Sequence, residues 1–134
     1  MRHPLFLAAP LLALAGCATA PPMGAALDEV RIDSRGAEAG GDYCADFSLT
    51  AAQARYFLAR SVVVTARQQH DDWDILPCYV RGTARSASGV WHWEIRAGGT
   101  ATLETPAGDT ELRGCSDCDA VLGRLAHRPP PPQR

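Results

Sequence analysis

Apolar and polar residues alternate with a period of two along the second half of the chain. In one such run Trp91, Trp93 and Ile95 fall on one side, and polar residues stand between them. Four runs are separated by short breaks rich in Ser, Gly and Pro, which favour tight turns: 78–85, 90–96, 100–105 and 110–113. This pattern predicts a four-stranded antiparallel meander with one apolar face. Burial in that face is the favoured interpretation of both tryptophans, although tryptophan is also a frequent binding anchor.

A T-x-x-Q sequence predicts the clearest helix, over residues 51 to 61. The Thr50 hydroxyl is placed to accept a hydrogen bond from the Gln53 amide, and the Gln53 side chain returns to the Thr50 backbone, which makes a capping box. We expect the apolar side of this helix to consist of Ala54, Tyr56, Phe57 and Leu58. A sheet with one apolar face needs a cover. The predicted fold is therefore α+β, with one capped helix packed on the four-stranded meander and braced by disulfides.

The remaining segments carry weaker patterns. Residues 30–33 are typical of a short strand, and the glycines and charges of 34–42 predict a loop. The β-branched run 62–65 predicts either a strand or an extended connection. Residues 70–74, "HDDWD", are expected to form a loop.

The amino-terminal end has the organisation of an export signal. A weakly basic start, "MRH", precedes an apolar segment at 5–15. That segment is much shorter than the roughly 20 apolar residues that a membrane-spanning helix needs. It ends in Leu14-Ala15-Gly16-Cys17, where an aliphatic and two small residues precede a cysteine. These four residues resemble the lipobox of bacterial lipoproteins.

The lipobox resemblance implies a processed, lipid-modified protein. Residues 1–16 would be a signal peptide removed before Cys17, and Cys17 would carry a diacylglycerol on its thiol and an acyl chain on its amino group. Ala18 is not the Asp that commonly retains lipoproteins at the inner membrane. The resemblance therefore implies the periplasmic face of the outer membrane. An ordinary secretory signal cleaved at a nearby A-x-A-like site is the alternative.

Export would leave a mature chain of three parts. Residues 17–42 are expected to form the lipidated cysteine and a flexible tether, because their small and proline-bearing start buries too little apolar area to fold. Residues 43–126 are expected to form the α+β domain. The proline-rich end, 127–134, predicts a disordered tail, for which docking to another protein is the alternative.

Charge argues against nucleic acid as a partner. The 134 residues carry 13 basic and 15 acidic side chains, and every basic residue is Arg. Removing residues 1–16 deletes one Arg and no acid, which leaves 12 Arg, 15 acids and a net charge of −3. Scattered arginines on a mildly acidic chain provide no electrostatic footprint for DNA or RNA.

Four cysteines remain if Cys17 is lipidated: Cys44, Cys78, Cys115 and Cys118. An even number in an oxidising compartment predicts two disulfides, for which three connectivities are possible. The C-x-x-C spacing of "CSDC" is also that of thiol oxidoreductases, but its neighbouring acids disfavour a thiolate. The four cysteines formally make a Cys₄ zinc set, although only one pair has ligand spacing.

A second group with possible chemistry is His70 with Asp71, Asp72 and Asp74. An imidazole beside carboxylates is typical of a metal or acid–base site. A solvated charged loop is the alternative interpretation. The chain has no nucleophile elbow, no H-E-x-x-H and no phosphate-binding glycine loop, so no catalytic residue and no cofactor is predicted.

The segment "CYVRGTARSASGVWHWEIRAGGTATL" together with "CSDC" resembles a group of small exported proteobacterial proteins of unassigned function. The resemblance implies a similar domain but no activity. The sequence as a whole predicts a membrane-anchored, non-catalytic binding module with an envelope protein as its possible partner. The alternatives are a thiol–disulfide redox protein using Cys115 and Cys118, and a metal-binding envelope protein using the His70 segment.

Overall fold

One antiparallel sheet of six strands organises the α+β fold. The computed structural model describes Leu27 and residues 29–123. Its elements in chain order are β1 Glu29–Ala37, a 3-10 helix Asp42–Asp46, α1 Ala51–Arg60, β2 Val62–Val63, α2 Ala66–Asp72, β3 Cys78–Ser86, β4 Gly89–Arg96, β5 Thr100–Glu104, β6 Thr110–Gly114 and α3 Asp119–Leu122. The strands lie in the sheet in the order β1-β3-β4-β5-β6-β2.

The four strands predicted from alternation are confirmed as β3 to β6, which pair in sequence order as a meander. The predicted total of four strands is wrong, because β1 pairs with the free edge of β3 and β2 pairs with the free edge of β6. Of the β-branched run 62–65, for which the sequence allows a strand or an extended connection, only the first two residues pair as a strand.

Strand β1 extends over residues predicted to be a loop. The prediction of a strand at 30–33 is confirmed within a longer strand, but the predicted loop at 34–42 is wrong over Ser34 to Ala37. A bulge at Asp33 shifts the pairing register between Ile32 and Ser34, and this shift interrupts the alternation that would have indicated a strand. The folded unit therefore begins before residue 43, where the sequence placed its start.

Helix α1 confirms the prediction from the capping box. The Gln53 amide donates to Thr50 Oγ1 at 3.1 Å, and the Thr50 amide donates to Gln53 Oε1 at 2.9 Å. Ala54, Phe57 and Leu58 are buried, as expected. Tyr56 was expected on the same side but is 39% exposed. Its ring instead lies on the outer side of the helix under the Arg60 guanidinium, 5.1 Å from the ring centroid.

The apolar side of the sheet, which we call the inner face, packs with α1 into a single core. Trp93 and Ile95 of β4 are buried there, whereas Trp91 is only partly buried at its margin. The inner face of the other strands contributes Val80, Ala84, Ala101 and Leu103. The opposite side, the outer face, carries the alternating polar residues of β1, β3, β4 and β5.

Helix α2 corrects a second loop prediction. His70, Asp71 and Asp72 belong to the last turn of this helix, although 70–74 was predicted to be a loop. The helix begins with a second T-x-x-Q capping box, in which the Gln68 amide donates to Thr65 Oγ1 at 3.1 Å. The capping-box pattern that predicted α1 therefore also occurs in the sequence at Thr65.

The predictions for residues 1–16, Cys17 and 127–134 lie outside the described residues. Over Leu27 and residues 29–123, none of the helices has the length and hydrophobicity needed to span a bilayer.

Candidate functional site

The four cysteines of the domain form two disulfides, Cys44–Cys78 and Cys115–Cys118. The prediction of two bridges is confirmed, and one of the three possible connectivities is selected. All four residues are buried. The first bridge ties the 3-10 helix to the start of β3, and the second closes the turn between β6 and α3.

The second bridge lies within residues 115–118, which we call the CSDC turn. Asp117 occupies the exposed tip of this turn, and the Asp117 carboxylate has two different neighbours. Its Oδ1 lies 3.4 Å from Cys115 Sγ, and its Oδ2 accepts a hydrogen bond from Arg60 Nε at 3.0 Å. The hydrogen bond from Arg60, at the end of α1, lowers the pKa of Asp117 and holds this carboxylate in its charged form beside the sulfur.

Trp73 supports the other side of the CSDC turn. Its indole Nε1 donates to the Cys115 carbonyl at 3.2 Å. Its ring lies against Gly114, where an added Cβ would come within 2.5 Å of the indole. Trp73 thus fixes both the end of β6 and the first residue of the turn, and only glycine fits beneath it.

A cleft of about 410 Å³ joins the two groups of residues that the sequence singled out separately. One side belongs to the end of α2 and the residues after it, and the other belongs to the CSDC turn and α3. The cleft is lined by His70, Asp71, Asp72, Trp73, Asp74, Gly98, Cys115, Ser116, Asp119 and Leu122.

His70 and its acids share this cleft without converging on one point. The His70 side chain is 78% exposed, and its Nδ1 lies 3.0 Å from Asp71 Oδ1. Among residues 29–123 the only three potential ligand atoms within 4.8 Å of one another belong to Cys115, Asp117 and Cys118. The arrangement best suited to a metal is therefore in the CSDC turn, and it is occupied by a disulfide.

The outer face of the sheet offers a different kind of surface, with a second cleft of about 410 Å³. Arg81 Nε donates to Glu94 Oε2 at 2.7 Å, and the Arg81 guanidinium lies 4.1 Å from the Tyr79 ring centroid. Arg96 donates to Glu94 and also to Glu38 at 2.6 Å. The hydrogen bond with Arg96 lowers the pKa of Glu38. Fixed charges of both signs therefore cover this face.

The pairing of β1, β3, β4 and β5 places one further row of side chains on the outer face. Arg31, Thr83, His92 and Glu104 lie side by side on four neighbouring strands. Arg31, His92 and Glu104 are exposed, so this row of polar groups is open to solvent. His92 was expected on the polar side of β4, opposite the tryptophans, and the structure places it there.

Sequence reasoning identified the cysteines, the His70 segment and the polar side of β4 but missed what links them. The partner of Asp117 is Arg60, which lies 57 residues earlier in the chain, and no local pattern indicates such a contact. The role of Trp73 was also missed, since a lone tryptophan in a charged segment carries no periodic signal. Comparison of the chain with family models, with curated proteins and with solved structures finds no match.

Proposed function

We propose that the chain is a lipid-anchored protein of the bacterial cell envelope whose α+β domain binds another envelope protein and is not itself an enzyme. One observation carries the proposal. The four cysteines after Cys17 pair with one another, which leaves the chain no further cysteine for Cys17 to pair with. Two disulfides suit an exported protein, and Cys17 stands where the lipobox resemblance would place the lipid.

The anchor would be strong and short. One acyl chain gives only marginal membrane binding, whereas the diacylglycerol and N-acyl chain proposed for Cys17 together hold a protein durably. Residues 18–26 separate Cys17 from Leu27, which is already buried in the core, and, at about 3.5 Å per extended residue, they reach at most about 35 Å. The domain would therefore stay near the periplasmic face of the outer membrane, and its partner would have to come within that distance.

Burial of the bridges favours binding over thiol–disulfide exchange. Exchange requires that a thiolate reach one sulfur, but Cys118 is fully buried and Cys115 is only 4% exposed. A carboxylate 3.4 Å from Cys115 Sγ also disfavours a thiolate there. These contacts support a structural role for the oxidised bridge. Rapid turnover of a disulfide substrate by the native protein would favour the redox alternative instead.

The outer face is the part of the domain that we propose contacts the partner. The helix α1 covers the inner face, whereas the row from Arg31 to Glu104 is open. Ion pairs such as Arg81–Glu94 fix side chains of both signs in place, which favours a partner surface with complementary charges over a nucleic acid.

Metabolic labelling with a fatty acid tests the anchor. We expect the natural protein to incorporate the label and to fractionate with membranes, and Cys17→Ser to lose both. A Cys115→Ala/Cys118→Ala variant is the matched control, because it also removes cysteines but should keep the label. Membrane fractionation of Cys17→Ser without loss would overturn the lipid anchor.

Photocrosslinking in intact cells tests the surface. A photoreactive amino acid at His92, on the outer face, should give a discrete adduct with an envelope protein. The same group at Ala52, which is exposed on α1, should not. Equal adducts from both positions, or an adduct from Ala52 alone, would show that the outer face is not the binding surface.

A further inference from the structure

The side of α1 that faces away from the sheet forms an exposed groove, which we call the α1 groove. It has a volume of about 610 Å³, and its lining residues are all exposed: Ala51, Ala52, Arg55, Tyr56 and Ala59. The three alanines let a ligand approach the helix backbone closely, and Tyr56 supplies an aromatic ring that is 39% exposed. Grooves lined by aromatic rings are the surfaces on which proline-rich segments dock.

The ring of Tyr56 is held in place by its neighbours. The Arg60 guanidinium lies 5.1 Å from the ring centroid, and Arg60 Nε donates to Asp117 Oδ2 at 3.0 Å. A ring that is already fixed loses less conformational entropy when a ligand binds. Asp117 also offsets the positive charge of Arg60, which would otherwise repel a basic ligand.

The chain itself provides a proline-rich segment beside this groove. Residues 124–134, which lie outside the described part, have the sequence "RLAHRPPPPQR" with four consecutive prolines at 129–132. The last described residue, Gly123, directly follows α3, and α3 packs against α1. Five residues precede the first proline and reach about 18 Å when extended, whereas the ten residues of α1 span about 15 Å. The prolines are therefore within reach of the groove.

We propose that the proline segment 129–132 docks on Tyr56 in the α1 groove of the same chain. Consecutive prolines favour a polyproline II helix, so the segment has little conformational freedom left to lose when it docks. A short linker gives a tethered ligand an effective concentration in the millimolar range, so a contact with a Kd below that range is mostly occupied. Docking covers α1 and leaves the outer face of the sheet open.

Nitration of tyrosine tests whether the tail covers Tyr56. The full chain, purified in a non-ionic detergent, is treated with tetranitromethane, and the rate at each tyrosine is measured by mass spectrometry. Replacing all four prolines by Ser should raise the rate at Tyr56 about threefold, as expected when a site that is two-thirds occupied is emptied. Tyr79 is the internal control, because it also lies under an arginine but belongs to the outer face, and its rate should not change.

A matched variant separates the prolines from the rest of the tail. Gln133→Ser/Arg134→Ser changes the end of the tail and keeps the four prolines, so Tyr56 should react at its natural rate. Arg124→Gln/Arg128→Gln removes two charges and also keeps the prolines, and we expect the same result. A rise in this second variant as large as in the Ser variant would show that charge holds the tail, and would overturn the proposal.

Photocrosslinking tests where the tail lies. A photoreactive amino acid at Ala52, in the α1 groove, should attach to residues 124–134 of the same chain, whereas the same group at His92 should not. Tyr56→Ala should lower the Ala52 adduct about threefold, because the undocked tail is no longer held there. Circular dichroism establishes that this variant is folded.

The proposal fails if Tyr56 reacts at the same rate with and without the prolines. It also fails if the tail is captured at His92 instead of Ala52, which would place it on the outer face. An adduct that joins two chains would assign the groove to the tail of a neighbouring copy and overturn docking within one chain. None of these results depends on the lipid anchor or on the partner surface.

Discussion

The two disulfides brace the domain in different ways. Cys44–Cys78 joins residues 34 apart in sequence and ties the 3-10 helix to the sheet, whereas Cys115–Cys118 joins residues only 3 apart. Both are buried, so burial does not distinguish them. Their surroundings do: an ion pair and a tryptophan hold the CSDC turn, whereas backbone hydrogen bonds from the Cys44 amide to Gly41 and from the Ala97 amide to Cys78 flank the other bridge.

The difference in loop length gives the two bridges different roles. A crosslink restricts the unfolded chain more when it closes a longer loop. The long bridge therefore acts mainly on the unfolded state, and the short one acts mainly on the shape of one turn. The short bridge also has a carboxylate oxygen, Asp117 Oδ1, 3.4 Å from one of its sulfurs.

Removing each bridge should give the largest contrast. Chain entropy predicts a loss of about 4 kcal/mol for Cys44→Ala/Cys78→Ala and about 1.6 kcal/mol for Cys115→Ala/Cys118→Ala. Urea unfolding of each variant measures the two losses. Equal losses would show that the short bridge contributes through the folded state more than loop length allows.

A methyl group at Gly114 should disturb the support of the short bridge. The added Cβ would meet three indole atoms of Trp73 at 2.5 to 2.8 Å, so we expect Gly114→Ala to cost about 2 kcal/mol by overpacking. The same change in a Trp73→Leu background is the control and should cost much less. A cost that is the same in both backgrounds would mean that Trp73 is not the obstacle.

The hydrogen bond of the Trp73 indole should stabilise the domain less than the packing of its ring does. Trp73→Phe removes the donor to the Cys115 carbonyl and keeps an aromatic ring, so we expect a loss of about 1 kcal/mol. Thermal unfolding measures this loss, and hydrogen exchange at the amides of the CSDC turn should rise with it. Unchanged exchange there would separate Trp73 from the turn.

The smallest effect concerns the acids beside the two bridges. Hydrogen bonds from Arg60 and Arg96 lower the folded-state pKa of Asp117 and Glu38, so each acid stabilises the fold above its unfolded pKa of about 4 and loses this effect as the pH falls. Asp117→Asn and Glu38→Gln should each lower the urea midpoint slightly at pH 7 and leave it nearly unchanged at pH 2. A difference that persists at pH 2 would contradict the assigned charge effect.

Patterns that span only a few residues were enough to predict α1 and strands β3 to β6. The T-x-x-Q box defined the start of α1, and alternation located β3 to β6 within a residue or two at each end. The same box at Thr65 would have identified α2, so that error came from reading "HDDWD" by its charges alone. Only residues 30–33 of strand β1 were predicted, because the bulge and the charged side chains hide the period of the edge strand beyond them.

The candidate site depended on contacts that no local rule provides. The C-x-x-C spacing marked Cys115 and Cys118, but their pairing with each other required positions in space. The Arg60–Asp117 contact joins the end of α1 to a turn near the other end of the domain, and the cleft joins α2 to the same turn. The Arg60–Asp117 contact and the cleft both depend on the chain topology, which brings these distant elements together.

The two ends of the strand order resist lateral growth of the sheet. One border, β2, is two residues long, and the other, β1, is kinked at Asp33 and carries Arg31 and Arg35 beside that kink. Neither border offers the long, flat row of unpaired backbone groups on which a neighbouring chain could add a strand. A domain built this way can be crowded onto a surface with its copies side by side and still not polymerise through its backbone.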